Sequence, residues 1–560
     1  MTRLSLRPAL IVCALAASVL MFVAPSSRAA WGDLDTSFAA PTGYTNYLAP
    51  GNTYGIIRRS LIQPDGKIIR AGLGGADFGV ATGMIQRLLP DGTPDPSFGT
   101  NGQVLLDSPA ALSGTSITGI ALQPDGSIVG VAWKIAAGSR LFRLTPSGAL
   151  DTSFASPNGY LTFSNEAPED VMIDSAGKIY TAANGTSNNI VLRAFTSSGV
   201  QIGAFASNAA AGLASTTFYG YSRILLRASG SDIFVLGTSQ PAATPVFFAA
   251  KLDSAGNLLS GWGSGGKSTV GFSIGAKVEG AVVQPSGALV LAGTTENMGD
   301  TSWTFARFNA AGSLDPSFTG NGKFEIDAAP GLPEGATDLI SLTDGTLVAA
   351  GNEAQPSDID AATVRVMDAN GGPISTFGVG GVSRQLLSGT LHIATISAQS
   401  NGRLLTSGYY MTQPGNVTVP YTARLDDSTL AAPTAKISTP TKSKIAAKKL
   451  TKFTGSASTN DGAVTKVEIA LQRVDSKLLK KKKQCLWLSS NKAKFKKVKA
   501  VQKKCAAPKW LSATGRSKWS YKLKKRLAKG NYKLSVRVTV VDGSATTVQA
   551  KPTTKKFKVT

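Results

Sequence analysis

The chain has 560 residues, a formal net charge of +24, three cysteines and one histidine. A single histidine leaves no cluster for zinc or copper and argues against Ser-His-Asp and Cys-His catalysis in their ordinary forms. The charge is divided: residues 433–560 hold 34 basic and four acidic residues, net +30, whereas residues 1–432 hold 24 basic and 30 acidic residues, net −6.

The first stretch, "MTRLSLRPALIVCALAASVLMFVAPSSRAAWG", has a basic start at Arg3 and Arg7 and an apolar run from Ala9 to Val23. Small residues at Ser27 and Ala29 follow Pro25. This order predicts a secretory signal peptide over 1–29, removed on export. The run is short for a membrane span, which needs about 20 residues. No later segment is long and apolar enough, so no transmembrane span is expected after signal removal. A secreted or cell-surface location follows.

From residue 30 to 430 the sequence repeats itself. "LIQPDGKIIRAG", "ALQPDGSIVGVA" and "VVQPSGALVLAG" belong to seven copies, whose turn glycines are Gly66, Gly126, Gly177, Gly230, Gly287, Gly345 and Gly402. The mean step is 56 residues. About 25 residues after each turn comes a second phrase, as in "RLLPDGTPDPSFGTNGQV" and "RFNAAGSLDPSFTGNGKF". Each phrase is a turn ending in glycine, which reaches positive φ without a Cβ clash. Two hairpins per unit predict four short strands, and runs this short exclude helices. Four-stranded sheets at this period predict a seven-bladed β-propeller. The seventh copy stops at "RLDDSTL", and its missing piece lies at the other end as "WGDLDTSF", residues 31–38. The N-terminal strand is therefore expected to close the ring and remove an open sheet edge.

A basic residue recurs in every unit: Arg87, Arg143, Arg193, Lys251, Arg307, Arg365 and Arg424. It reads as a cationic ring around a channel or as a structural pair. Asp95, Asp151 and Asp315 follow their arginines by eight residues across a tight hairpin, so the structural reading is adopted. Phe38, Phe98, Phe154 and Phe318 are expected to plug the gaps between blades.

The pattern "QPDGKI … RL…GxLDxSFGxxG" resembles the delta-sixty repeat family, β-propellers of secreted bacterial proteins with no assigned general function. The resemblance implies the fold over roughly 31–430 and no catalytic residues. A phosphate-loop pattern in "GWGSGGKS", residues 261–268, aligns with the second turn of the repeat and is read as that turn. His392 reads as a strand residue. Carboxylate pairs for glycoside chemistry stay open.

A small-residue joint at 431–435 leads into residues 436–560, expected as a lysine-rich β-sandwich. Its expected strands are "KLTKFTGSAS", "VTKVEIALQRV", "KWSYKL", "YKLSVRVTVV" and "KKFKVT". "LAKGNYKLSV" resembles the tyrosine corner of immunoglobulin-like domains, with Tyr532 in that place, and the segment resembles bacterial immunoglobulin-like modules. Cys485 and Cys505 bracket an insertion and are expected to form a disulfide in an oxidising compartment. Residues 477–504 hold twelve lysines and no acid, for which a flexible loop is the default. Lys480, Lys481, Lys482, Lys483, Lys494, Lys496, Lys497, Lys503 and Lys504 form a candidate anion-binding face, with anionic cell-wall polymer or acidic polysaccharide as partner. No cofactor and no sequence-specific nucleic acid are expected, and the sequence leaves the oligomeric state open. The whole predicts an all-β, non-enzymatic binding or scaffold protein, with a glycan-active enzyme as the competing reading.

Overall fold

The computed structural model describes residues 31–560 apart from 135–137, 221, 243, 296–298, 329, 356–359, 388, 413–416, 427–433, 459–462, 475–483, 500–509, 543–544 and 549–552. The expected signal peptide and most of the expected joint lie outside the described residues.

Among the described residues, 44–425 hold seven antiparallel sheets. Their innermost strands are Tyr54–Ile62, Ser116–Leu122, Ala167–Ile173, Leu225–Ser229, Ala276–Val283, Glu334–Ser341 and Thr390–Ala398. Each innermost strand lies against the next, and the seventh lies against the first. The glycine at each first turn has positive φ, from +63° at Gly230 to +90° at Gly345 and Gly402. A side chain there would be strained, which is why the phrase ends on glycine in all seven copies.

The seventh sheet is completed from the chain start. Tyr44 and Thr45 pair with Ala423 and Thr422 in the strand Thr418–Leu425. Leu34 bridges Leu425, and the Asp35 N–H donates to the Arg424 carbonyl at 2.8 Å. The buried core lies between sheets. Phe38 packs with Ile68, Leu88 and Leu405, joining the seventh sheet to the first. Phe98 packs with Ile69, Ile85, Ile128 and Phe142, joining the first to the second.

One unit departs from the expected four strands. The third sheet has three, Ala167–Ile173, Ile179–Asn184 and Ile190–Phe195. Its outer place is taken by a helix, Gly203–Leu213, which buries Phe205, Ala209 and Leu213. The alanine-rich run "GAFASNAAAGL" favours helix and has no strand alternation. The expectation that no helix interrupts the repeat is corrected here.

Residues 434–560 form two sheets that share one core. One contains Thr434–Thr439, Lys452–Ser458 and Lys518–Lys522. The other is built on Ala463–Val474 and Gly530–Asp542, antiparallel over eleven registered pairs. Phe453, Ile469, Leu471, Trp519, Leu534 and Val536 fill the space between them. All five expected strands appear. Thr434–Thr439, which begins inside the expected joint, and Lys444–Ile445 were not anticipated. The Tyr532 hydroxyl donates to the Ala528 carbonyl at 2.7 Å, tying the strand to the turn before it.

The lysine-rich insertion is not simply a loop. Gln484–Leu488 and Phe495–Lys499 form a hairpin. Cys485 and Trp487 are buried against Ala470, and Leu488 enters the shared core with Phe495 packed on it. These apolar residues supply the anchoring that the lysine count conceals. Cys505, the expected partner of Cys485, lies outside the described residues, as do Lys480 to Lys483, Lys503 and Lys504. Lys494, Lys496 and Lys497 are exposed on the hairpin.

Candidate functional site

The recurring basic residue meets a carboxylate in all seven units. Arg87, Arg143 and Arg307 meet Asp95, Asp151 and Asp315 at 2.8, 2.8 and 2.9 Å. Arg424 meets Asp35 at 2.7 Å, across the chain closure. Arg193, Lys251 and Arg365 take their carboxylates from other strands: Glu166, Asp232 and Glu353. Each cation also lies over an aromatic ring, at 4.5 Å for Arg193 on Phe163 and 5.5 Å for Lys251 on Phe234.

Four of these arginines reach the next sheet. Arg87 donates to the Pro146 carbonyl, Arg143 to Ser197, Arg307 to Ala369 and Arg424 to Pro90. The plug beside each one seats on the same neighbouring turn. The Phe38 ring lies 2.7 Å from where a Cβ on Gly92 would stand, Phe98 3.0 Å from Gly148 and Phe318 2.9 Å from Gly371. In the third sheet the helix supplies the plug, Phe205 against Gly256. These residues join neighbouring sheets, and none of the seven basic residues is among those that line the cavity described next.

The cavity is built from other residues. Six of the seven innermost strands carry a β-bulge at the same place, where one residue has no partner on the neighbouring strand. The unpaired residues are Arg58, Thr118, Glu169, Glu279, Thr337 and Ala394. Arg223, just before the innermost strand of the fourth sheet, takes the corresponding place. All seven line one cavity of about 510 Å3. A bulge re-aims its side chain, and here the repeat aims one from every sheet at one space.

The layer below contains Arg59, which also lines the cavity. Its guanidinium donates to the Arg58 and Glu169 carbonyls at 3.0 and 3.4 Å. Asp170 and Asp338, in the same layer, are satisfied by strand amides: Leu226 donates to Asp170, and Ile396 to Asp338, each at 3.0 Å. Burial, and then the like charge of Arg223, bring the Arg59 pKa down to about 10. Arg223 stands 3.8 Å from Glu279 and donates to the Thr337 carbonyl, and among the described residues its buried Nε has no hydrogen-bond partner. Burial pushes Glu169 up to about 7, against the pull of Arg59 and Arg223. Asn184 donates to Glu169 at 3.1 Å.

The mouth is aromatic. His392 is registered opposite Tyr409 on the adjacent strand, and their rings stack at 4.7 Å. His392 Nε2 lies 3.2 Å from Asp360, and burial holds the imidazole below its ordinary pKa. His392 is a strand residue, as expected, but it also lines the cavity. Tyr54 meets Phe78 edge-on at 5.3 Å, and Phe78 is 71% exposed. The Arg58 charge is felt by both Tyr54 and Tyr409.

The cavity therefore joins four cations, Arg58, Arg59, Arg223 and Lys277, to two carboxylates, Glu169 and Glu279. It can accept an anion and hydrogen-bond neutral donors in one space. At the phosphate-loop pattern, Trp262 is buried against Gly312 and a strand, Lys267–Val270, follows where a helix would be required. That segment is a turn.

Three segments, 63–98, 123–154 and 284–318, match a family described as "Domain of unknown function (DUF5122) beta-propeller". The likeness to that family is carried by those three segments, each of which spans a turn of the repeat. No curated protein matches it in sequence. Among solved structures, it is similar to the polysaccharide lyase Uly1 at 11% identity, over 68% of this chain and 91% of that one, with TM-score 0.39. Sqt1 from Chaetomium thermophilum matches at 11% identity over 71% and 99%, with TM-score 0.37. Prolyl oligopeptidase B from Galerina marginata matches at 11% identity over 74% and 57%, with TM-score 0.38.

Proposed function

We propose that the protein is an exported, non-enzymatic binding protein of the cell envelope or extracellular space. Its seven sheets are the blades of one propeller closed by the N-terminal strand, and the cavity on their axis holds the ligand. Residues 434–560 are an immunoglobulin-like module, with Cys485 and Cys505 joined, that tethers the propeller to anionic polymer. The observation that carries the binding role is the convergence of seven equivalent positions, mixed in charge, on a single cavity. The tether rests on the net charge of +30 and on the exposed Lys494, Lys496 and Lys497.

The tether is tested by retaining the full chain on anionic cell-wall polymer, acidic polysaccharide and DNA while salt is raised. Retention should fall steeply with ionic strength, because exposed charges are screened. It should weaken when Lys494, Lys496 and Lys497 are all changed to Gln. Retention indifferent to both would end this reading.

One observation favours a glycan-active enzyme instead. Glu169 and Glu279 line the same cavity, and burial raises Glu169 to about 7. A protonated and an ionised carboxyl group are the pair that glycoside cleavage requires. Release of reducing ends from a polysaccharide, abolished by Glu169→Gln, would select this reading over the first.

A further inference from the structure

The cavity is a cup lined by cations, two carboxylates and the His392–Tyr409 pair. Arg59 and Arg223 both line it and disfavour one another, and the Nε of Arg223 is buried without a partner among the described residues. An anion placed between the two groups would relieve that crowding and satisfy the open donor with a charge-assisted hydrogen bond. Arg58, the bulge residue next to Arg59, adds a third positive charge to the lining.

Glu169 and Glu279 restrict what that anion can be. A dense polyanion, such as a phosphate ester, would place two or more negative charges beside two carboxylates. A saccharide with one carboxylate per ring and several hydroxyls spaces its charge out and leaves hydroxyls beside the two glutamates. One carboxylate faces the guanidinium groups, and the hydroxyls donate to Glu169 and Glu279. At the mouth, Tyr409 stacked on His392 offers a flat apolar surface. Such a face suits the C–H side of a sugar ring. The volume of about 510 Å3 is that of a small-ligand site and exceeds what a lone ion needs.

We infer that the cup binds a carboxylated saccharide of one or two rings, one carboxylate between Arg59 and Arg223 and a ring against Tyr409 at the mouth. The inference rests on the reading of the axial cavity as the ligand site and names what fills it. It does not depend on the C-terminal tether.

The test is calorimetric titration of the full chain with digalacturonate, with a neutral disaccharide of the same size, with inorganic phosphate and with a zwitterionic amino acid. Digalacturonate is expected to bind at least about tenfold more tightly than the other three. Arg59 is enclosed, and its replacement could disturb the fold, so the informative variants are Arg58→Gln and Tyr409→Leu. Each should weaken digalacturonate about tenfold or more with an unchanged melting temperature. The Lys494, Lys496 and Lys497 triple Gln variant should keep full affinity for digalacturonate, which separates the cup from the tether. The inference is overturned if the neutral disaccharide binds equally well, if phosphate or the amino acid binds most tightly, if neither cup variant changes affinity, or if no uronate binds at millimolar concentration. Neutral-sugar binding would still leave the cavity as a ligand site, whereas binding that only the lysine variant removes would end both readings of the cavity.

Discussion

Asp95 and its equivalents show how one carboxylate can hold two sheets. Burial would raise the Asp95 pKa, but the Ser97 hydroxyl, Lys67, the Ser97 amide and Arg87 together hold it well below the usual carboxylate range. Asp35 and Asp315 are lowered against the same burial, and the Ser153 hydroxyl leads the lowering of Asp151. A depressed folded-state pKa contributes stability that is fully present above the unfolded value, near 3.9, and is lost as pH falls through the folded values. As these aspartates are protonated, denaturant midpoints should drop below about pH 4. Replacing Asp95 by Ala strands a buried guanidinium and should cost about 3–5 kcal/mol in urea unfolding. Glu334 has the opposite sign. Burial pushes it up to about 7, so its contribution is lost as pH rises through that value, and Glu334→Gln should raise the melting temperature at pH 8 but not at pH 5. The aspartate partners were legible in the first, second and fifth copies because they follow within one hairpin. Glu166, Asp232 and Glu353 were not, because each comes from an earlier strand of its sheet and no fixed spacing announces it.

At the scale of the strand, the cavity depends on a feature that alternation does not display. A bulge is a property of the register between two strands, and each strand alone reads as an ordinary run. Arg58, Thr118, Glu169, Glu279 and Thr337 also differ in chemistry, so no recurring residue type marks the position. The glycine after some bulges was a usable signal that went unread. At Gly280 an added Cβ would lie 2.7 Å from the Asp338 backbone, and at Gly119 it would lie 3.1 Å from Asp170. These glycines let one innermost strand approach the next. Gly280→Ala should destabilise the protein by about 1–3 kcal/mol through overpacking, measurable by thermal unfolding. The turns were easier to read, since a proline, a small polar residue and a glycine of positive φ recur at fixed spacing. The hairpin at residues 484–499 was obscured for another reason. Twelve lysines dominate the local composition, while four or five apolar side chains decide the structure.

At the scale of the molecule, the complementarity of the two sequence ends was the most informative pattern. It anticipated a contact between residues 389 positions apart, Asp35 and Arg424. Removing residues 31–45 would take away Asp35, Phe38 and the paired Tyr44–Thr45 together, and would bare the edge of the strand Thr418–Leu425. That truncated chain should self-associate in size-exclusion chromatography and melt at lower temperature, because an unpaired edge templates further pairing. The lining of the cavity could not be read from the repeat, which specifies how sheets are joined and leaves the inward residues free to vary.

The borrowed strand also has a kinetic consequence. The last sheet cannot be completed until segments from both extremes of the propeller meet, so its assembly is the longest-range step the chain must make. Closing a loop of this length adds little to the equilibrium cost, since that cost grows only logarithmically, but such distant pairings slow the search for the native state. Refolding should therefore pass through a species with six formed sheets and one unfinished, and the capture of residues 31–45 should set its lifetime.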